Sequence, residues 1–89
     1  MRVRFSPTAL SDLAEIRAYI GRFNPAAAKR MALRLIDAGN SLQAFPERGQ
    51  PIGWNRRQFS IIPPYVIRYR IEGEIVEILR IRHSARRSR

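Results

Sequence analysis

The chain has no cysteine. No disulfide framework can staple it, and no thiolate is available as a nucleophile or metal ligand. It has a single histidine, too few donors for a structural zinc site, so neither a metal nor a cofactor is expected. No apolar run approaches the roughly 20 residues that span a bilayer. The opening Met1-Arg2-Val3-Arg4-Phe5-Ser6-Pro7 lacks the apolar stretch of a secretory signal. A cytoplasmic protein without membrane association is the expectation. Glycine-rich phosphate loops and nucleophile motifs are missing as well. Acid is scarce: seven Asp and Glu stand against 17 Lys and Arg, for a formal charge of +10 at pH 7. Lysine is scarcer still, since Lys29 is the only one.

What remains is arginine and a moderate apolar content. At 89 residues and 45% hydrophobic, the chain is too apolar to stay disordered. It fits one domain over 1–89 with a small core. A positive excess of this size draws phosphate backbones, anionic lipid or an acidic protein. Arginine recognises phosphate and carboxylate through a planar, bidentate fork. An arginine-rich genome raises the count too, so position matters more than number.

Met1 to Phe5 alternates apolar and basic residues, as a half-buried strand does. Ser6-Pro7 marks a helix start, with Ser6 as N-cap and Pro7 in the first turn; Gly21 ends the helix. Leu10, Leu13, Ala14 and Ile20 predict its apolar stripe, widened by Ile16 and Tyr19, with Asp12 and Glu15 on the solvated side. Asn24-Pro25 starts a second helix, predicted over 25–44, with Ala28, Met31, Leu35 and Leu42 on one face. Residues 45–53, rich in proline and glycine, read as loop. Gln58 to Ile62 is a strand stopped by Pro63-Pro64. Trp54 sits in a loop beside Arg56-Arg57, where it either contacts nucleic acid or folds over the sheet edge.

The last third reads as a hairpin: Tyr65 to Ile71, a Glu72-Gly73 turn, and Glu74 to Arg82. That turn pairs Ile71 with Glu74, Tyr69 with Val76, Ile67 with Ile78 and Tyr65 with Arg80. Arg68 then lies opposite Glu77, a favourable cross-strand pair. The second face of this hairpin, with Val66, Arg68, Arg70, Leu79 and Ile81, is too mixed for plain solvent surface and reads as a groove lining. The predicted class is α+β, in the order β-α-α-β-β-β, with a helical hairpin packed on a small, mostly antiparallel sheet.

The strand fixes Arg80 and Arg82, two residues apart, as candidate phosphate ligands, with Arg86 just beyond. His83 follows them. It is either an acid–base group or a hydrogen-bonded strand end. Residues 84–89 read as a flexible basic tail, in which Arg87 and Arg89 are solvated.

The ordered set Val3-Arg4-Phe5-Ser6-Pro7, Ala9, Asp12-Leu13, Ile16, Tyr19-Ile20 resembles the opening of the RelE/ParE toxin superfamily. The run Leu42 to Pro46, Gly49, the strand Tyr65-Val66-Ile67-Arg68-Tyr69-Arg70 and the ending Ile78-Leu79-Arg80-Ile81-Arg82-His83 extend the resemblance over nearly the whole chain. It implies a bacterial type II toxin of the plasmid-stabilisation kind, held in a hetero-oligomer by a cognate antitoxin. An acidic amphipathic antitoxin segment suits the charge of the chain. One branch of the superfamily cleaves mRNA on the ribosome; the other poisons DNA gyrase. Nucleases of the first branch often carry an arginine directly after the tyrosine of the third-strand motif, where this chain has Val66. The resemblance is therefore closer to the ParE branch, a gyrase inhibitor that causes growth arrest without being an enzyme. Arg56, Arg68, Arg80, Arg82, His83 and Arg86 are the expected target-binding residues. A ribosome-dependent ribonuclease is the alternative, with Arg56, Arg68, Arg80 and Arg82 on RNA and His83 as acid–base group. A non-toxic nucleic-acid-binding module is the third reading.

Overall fold

The computed structural model describes residues 1–85. Strand β1 (Arg2–Phe5) leads into α1 (Pro7–Gly21) and α2 (Pro25–Asn40); β2 (Gln50–Gly53), β3 (Arg56–Ile62), β4 (Tyr65–Glu72) and β5 (Ile75–His83) follow. The five strands form one sheet in the order β1-β5-β4-β3-β2. β1 runs parallel to β5, and the other neighbours are antiparallel. The predicted α+β architecture is therefore present, with one more strand than expected.

Both helix starts follow from local chemistry. The Ser6 hydroxyl accepts from Ala9 N, and the Asn24 side chain accepts from Ala27 N. Each satisfies an amide that the first helical turn would leave unpaired, and each is followed by a proline whose missing N–H costs nothing there. α2 ends at Asn40 rather than Ala44, and Ser41–Gln43 continue it as a tighter 3-10 turn. The two helices pack on each other and on one sheet face. Leu13, Leu35 and Leu42 meet Ile67, Tyr69, Val76 and Ile78 in the core.

The phase of α1 differs from its predicted stripe. Ala9, Asp12 and Leu13 are buried, whereas Leu10, Ala14 and Tyr19 are exposed. Two stripes one residue apart were available on this helix. The one with Asp12 inside prevails because β5 supplies partners for its carboxylate.

Residues 50–53 are not loop. They form an edge strand, all four residues exposed, held to β3 by backbone pairing. Edge position tolerates Pro51, whose missing donor need not face a neighbour.

The β4–β5 register also differs from the predicted one. The turn is Gly73-Glu74, with Gly73 at φ +61, and Glu72 pairs with Ile75. Glycine at the first central position of a two-residue hairpin turn suits this geometry. Glu77 therefore lies opposite Arg70, not Arg68, and Tyr69 lies opposite Ile78. A register shift between Arg68 and Tyr69 then leaves Leu79 extra, so Arg68 pairs with Arg80 and Tyr65 with His83. This bulge returns Ile81 to the core, where it is 2% exposed, instead of leaving it on the open face.

A candidate target-binding end and an arginine-lined sheet face

The end of β5 is tied to α1 through Asp12. Its carboxylate accepts from Arg80 Nε at 2.9 Å, Arg80 Nη2 at 3.2 Å and Ile81 N at 2.9 Å. The bulge before Arg80 permits this arrangement: a strictly paired strand would spend the Ile81 amide differently. The hydrogen bond to Asp12 raises the Arg80 pKa above its ordinary value against a smaller opposing effect of burial. Arg80 keeps its charge, and its side chain remains partly exposed.

Beside this clasp is a recess of about 130 Å³ whose walls include Glu15, Tyr65, Arg80, Arg82 and His83. His83 packs edge-on against Tyr65, with ring centroids 5.5 Å apart. Its Nδ1 accepts from Ala85 N at 3.2 Å. In the neutral ring this leaves the proton on Nε2. Ser84 N donates to Pro64 O at 2.7 Å, which holds the strand end against the β3–β4 connection. Arg82 has no carboxylate within ion-pair distance among the described residues. Arg80, Arg82 and His83 are thus brought together. Arg86 lies outside the described residues.

Arg56 and Arg68 lie on the sheet face away from the helices; Arg68 is the direct cross-strand neighbour of Arg80, whereas Arg56 lies further along, beside Arg70. One cross-strand row there runs Arg4, Glu77, Arg70, Arg56. Glu77 bridges the first and third of these, at 3.1 Å to Arg4 and 3.0 Å to Arg70. Arg68 donates to Gln58 Oε1 at 3.2 Å, and Arg56 is exposed. Among the described residues, no group of three or more acidic or histidine side chains is placed to hold a metal ion. No helix is long and apolar enough to cross a membrane.

Sequence reasoning missed Asp12 and the Glu77 bridge. Asp12 lies three residues after Ala9 and four before Ile16, so helical phase offered a signal. The bridge depends on register, and the register moved.

A third feature lies between α2 and β3, an open groove of about 280 Å³. Phe59, Ile61 and Ala38 line it together with Arg34, Arg48 and Asp37.

Comparison with known proteins accords with this architecture. Residues 3–88 match the family described as the ParE toxin of type II toxin-antitoxin systems, parDE. "Toxin RelE2" of Caulobacter vibrioides (strain ATCC 19089 / CIP 103742 / CB 15) is 54% identical over 78 residues, covering 88% of this chain and 89% of its own. "Putative toxin Y4kP" of Sinorhizobium fredii (strain NBRC 101917 / NGR234) is 39% identical over 85 residues, covering 93% and 88%. A solved structure described as "Chromosomal ParDE TA system from P. aeruginosa" superposes with a TM-score of 0.84 at 20% identity, covering 93% of this chain and 95% of that one. At that identity the superposition speaks for the fold alone. With an α+β fold of this topology and a family match along almost its whole length, the chain belongs to the ParE toxin family of type II toxin–antitoxin systems, within the RelE/ParE superfamily.

Proposed function

We propose that this toxin, acting as one domain in the cytoplasm without a cofactor, inhibits DNA gyrase and thereby causes the growth arrest used in plasmid stabilisation. The observation that carries this reading is the Asp12 clasp. RNA cleavage needs a base, an acid and cations free to follow the phosphorane charge. Here Arg80 is bound to a carboxylate through two hydrogen bonds, and Val66, next to Tyr65, is a buried valine. What the clasp builds instead is a rigid end that presents Arg82, His83 and the exposed part of Arg80 to a protein target. Arg86, outside the described residues, is proposed as a further target-binding residue.

The antitoxin is proposed to lay an acidic amphipathic segment into the α2–β3 groove. Its apolar side would cover Phe59 and Ile61, and its carboxylates would meet Arg34 and Arg48. Supercoiling by purified gyrase tests the main reading: an excess of the toxin should abolish it, and Arg82→Ala together with His83→Gln should restore it. Undiminished supercoiling at excess toxin, with mRNA cut on programmed ribosomes, would reject it.

That second outcome is the ribonuclease reading. It is favoured by the placement of His83 beside Arg80 and Arg82 in one recess, and by the name of the 54% identical relative. On that reading His83→Gln lowers cleavage by about two orders of magnitude or more.

A further inference from the structure

Trp54 stands at the tip of the β2–β3 hairpin and is 93% exposed, the most exposed of the large hydrophobic side chains. Its φ is +55, and that of Asn55 is +58. Asparagine tolerates the left-handed region; a bulky residue there is strained. Glycine or asparagine is the ordinary choice at both central positions of such a turn. The indole therefore sits where the fold gains no burial from it and the backbone disfavours it. Such a residue is explained by something outside the chain.

The tip is also held still. Asn55 Nδ2 donates to Ile71 O at 3.2 Å, pinning the turn to β4. A shallow recess of about 170 Å³ lies beside it, with Pro51, Asn55, Arg56 and Ile71 among its walls. Arg57 is already engaged, donating to Gly49 O at 2.7 Å. Arg56 is exposed and has no carboxylate partner among the described residues. Its cross-strand neighbour, Arg70, is already paired with Glu72 and Glu77, so Arg56 is the open cation here. A ligand that uses both Trp54 and Arg56 must offer a flat π face and an anion in one unit. A nucleotide has that chemistry, and its π face is open only when the base is unpaired.

We propose that Trp54 and Arg56 form a binding site for unpaired nucleic acid, with a base stacked on the indole and its phosphate on the guanidinium. The site is at the opposite end of the sheet from Arg82 and His83: Arg56 pairs with Arg70 near the β4–β5 turn, whereas His83 pairs with Tyr65 at the start of β4. It does not depend on gyrase being the target.

Trp54 is the only tryptophan, so its emission reports this site alone. The full-length toxin is titrated with a single-stranded thymidylate oligomer and, separately, a uridylate oligomer, which distinguishes DNA from RNA as the source. Polyglutamate serves as a polyanion without bases, and a fully paired DNA hairpin as a nucleic acid without open ones. Saturable quenching by either single strand, with little by the two controls, is the expected result. In anisotropy with a labelled oligomer, Trp54→Gly should weaken binding about tenfold or more, and Trp54→Phe should retain most of it. Trp54→Gly should not lower the thermal midpoint, because glycine accepts the positive φ. Arg56→Ala should reduce the log–log salt slope by about 0.7. Absence of quenching, equal quenching by polyglutamate or paired DNA, or unchanged affinity in a folded Trp54→Gly protein would each overturn the proposal. Equal quenching by polyglutamate would assign the tip to an acidic protein partner instead.

Discussion

Replacing Asp12 by alanine removes three hydrogen bonds at once. The costs differ in kind. The Ile81 amide is buried and loses its acceptor, a loss of about 1–3 kcal/mol. Arg80 loses two charge-assisted bonds, but its side chain is 41% exposed and can return to water. That part is discounted to roughly 1 kcal/mol. The expected total is about 2–4 kcal/mol, which for a chain of this size lowers the thermal midpoint by roughly 10–25 °C. Asp12→Asn keeps an acceptor for Ile81 N but loses the charge and turns the oxygen facing Arg80 Nη2 into a donor, so it should cost about 1–2 kcal/mol, less than Asp12→Ala. Chemical denaturation of the isolated toxin followed by far-ultraviolet circular dichroism measures both. Fluorescence is unsuited, because Trp54 is exposed already in the folded state. A cost below about 0.5 kcal/mol for Asp12→Ala would show a solvated surface carboxylate and would remove the physical basis for a rigid end of β5.

Two further perturbations test the core beneath the β2–β3 hairpin. A Cβ on Gly49 would lie 2.8 Å from both Tyr69 Cε1 and Oη and 3.0 Å from Gln58 O; Tyr69 is 0% exposed and cannot yield. Gly49→Ala should therefore cost about 2–3 kcal/mol in the same denaturation assay, and an unchanged midpoint would contradict the packing. The Tyr69 hydroxyl donates to Pro46 O at 2.6 Å and accepts from Gly49 N at 2.9 Å, and burial raises its pKa above 10.0 despite the opposing Gly49 bond. Because the folded pKa exceeds the unfolded one, stability is complete below about pH 10 and is lost as pH rises through the folded value. Tyr69→Phe should flatten that alkaline loss and cost about 1–3 kcal/mol at neutral pH. An identical alkaline profile in the variant would show that another group is responsible.

The elements legible in the sequence were those with local causes. Ser6-Pro7 and Asn24-Pro25 each carry a cap and a proline, so the helix starts followed from neighbouring residues. β4 and β5 carry apolar alternation strong enough to place them within a residue or two. β2 has no such signal: every residue in it is exposed, and only backbone pairing with β3 makes it a strand. The hairpin register failed for a related reason. Which of Glu72, Gly73 and Glu74 occupy the turn is decided by the positive φ of Gly73 and by packing, and the Leu79 bulge is invisible to a period-two pattern.

The candidate site was legible by residue type but not by pairing. Arg80, Arg82 and His83 adjoin in sequence and stay together in space. The partner that fixes Arg80 lies 68 positions away. Asp12 read as solvated because nothing local offers it a counter-charge. Arg56 and Arg68 were grouped with Arg80 as cations; pairing puts Arg68 directly beside Arg80, but Arg56 lies away from it, beside Arg70.

If the toxin acts on gyrase as proposed, DNA synthesis stops before translation does. Inducing the chain without its antitoxin, and following labelled thymidine and labelled amino-acid incorporation together over the first minutes, tests it most directly. Thymidine incorporation should fall first while translation continues. An early fall in amino-acid incorporation with DNA synthesis intact would rule out gyrase as the target and assign His83 to RNA cleavage.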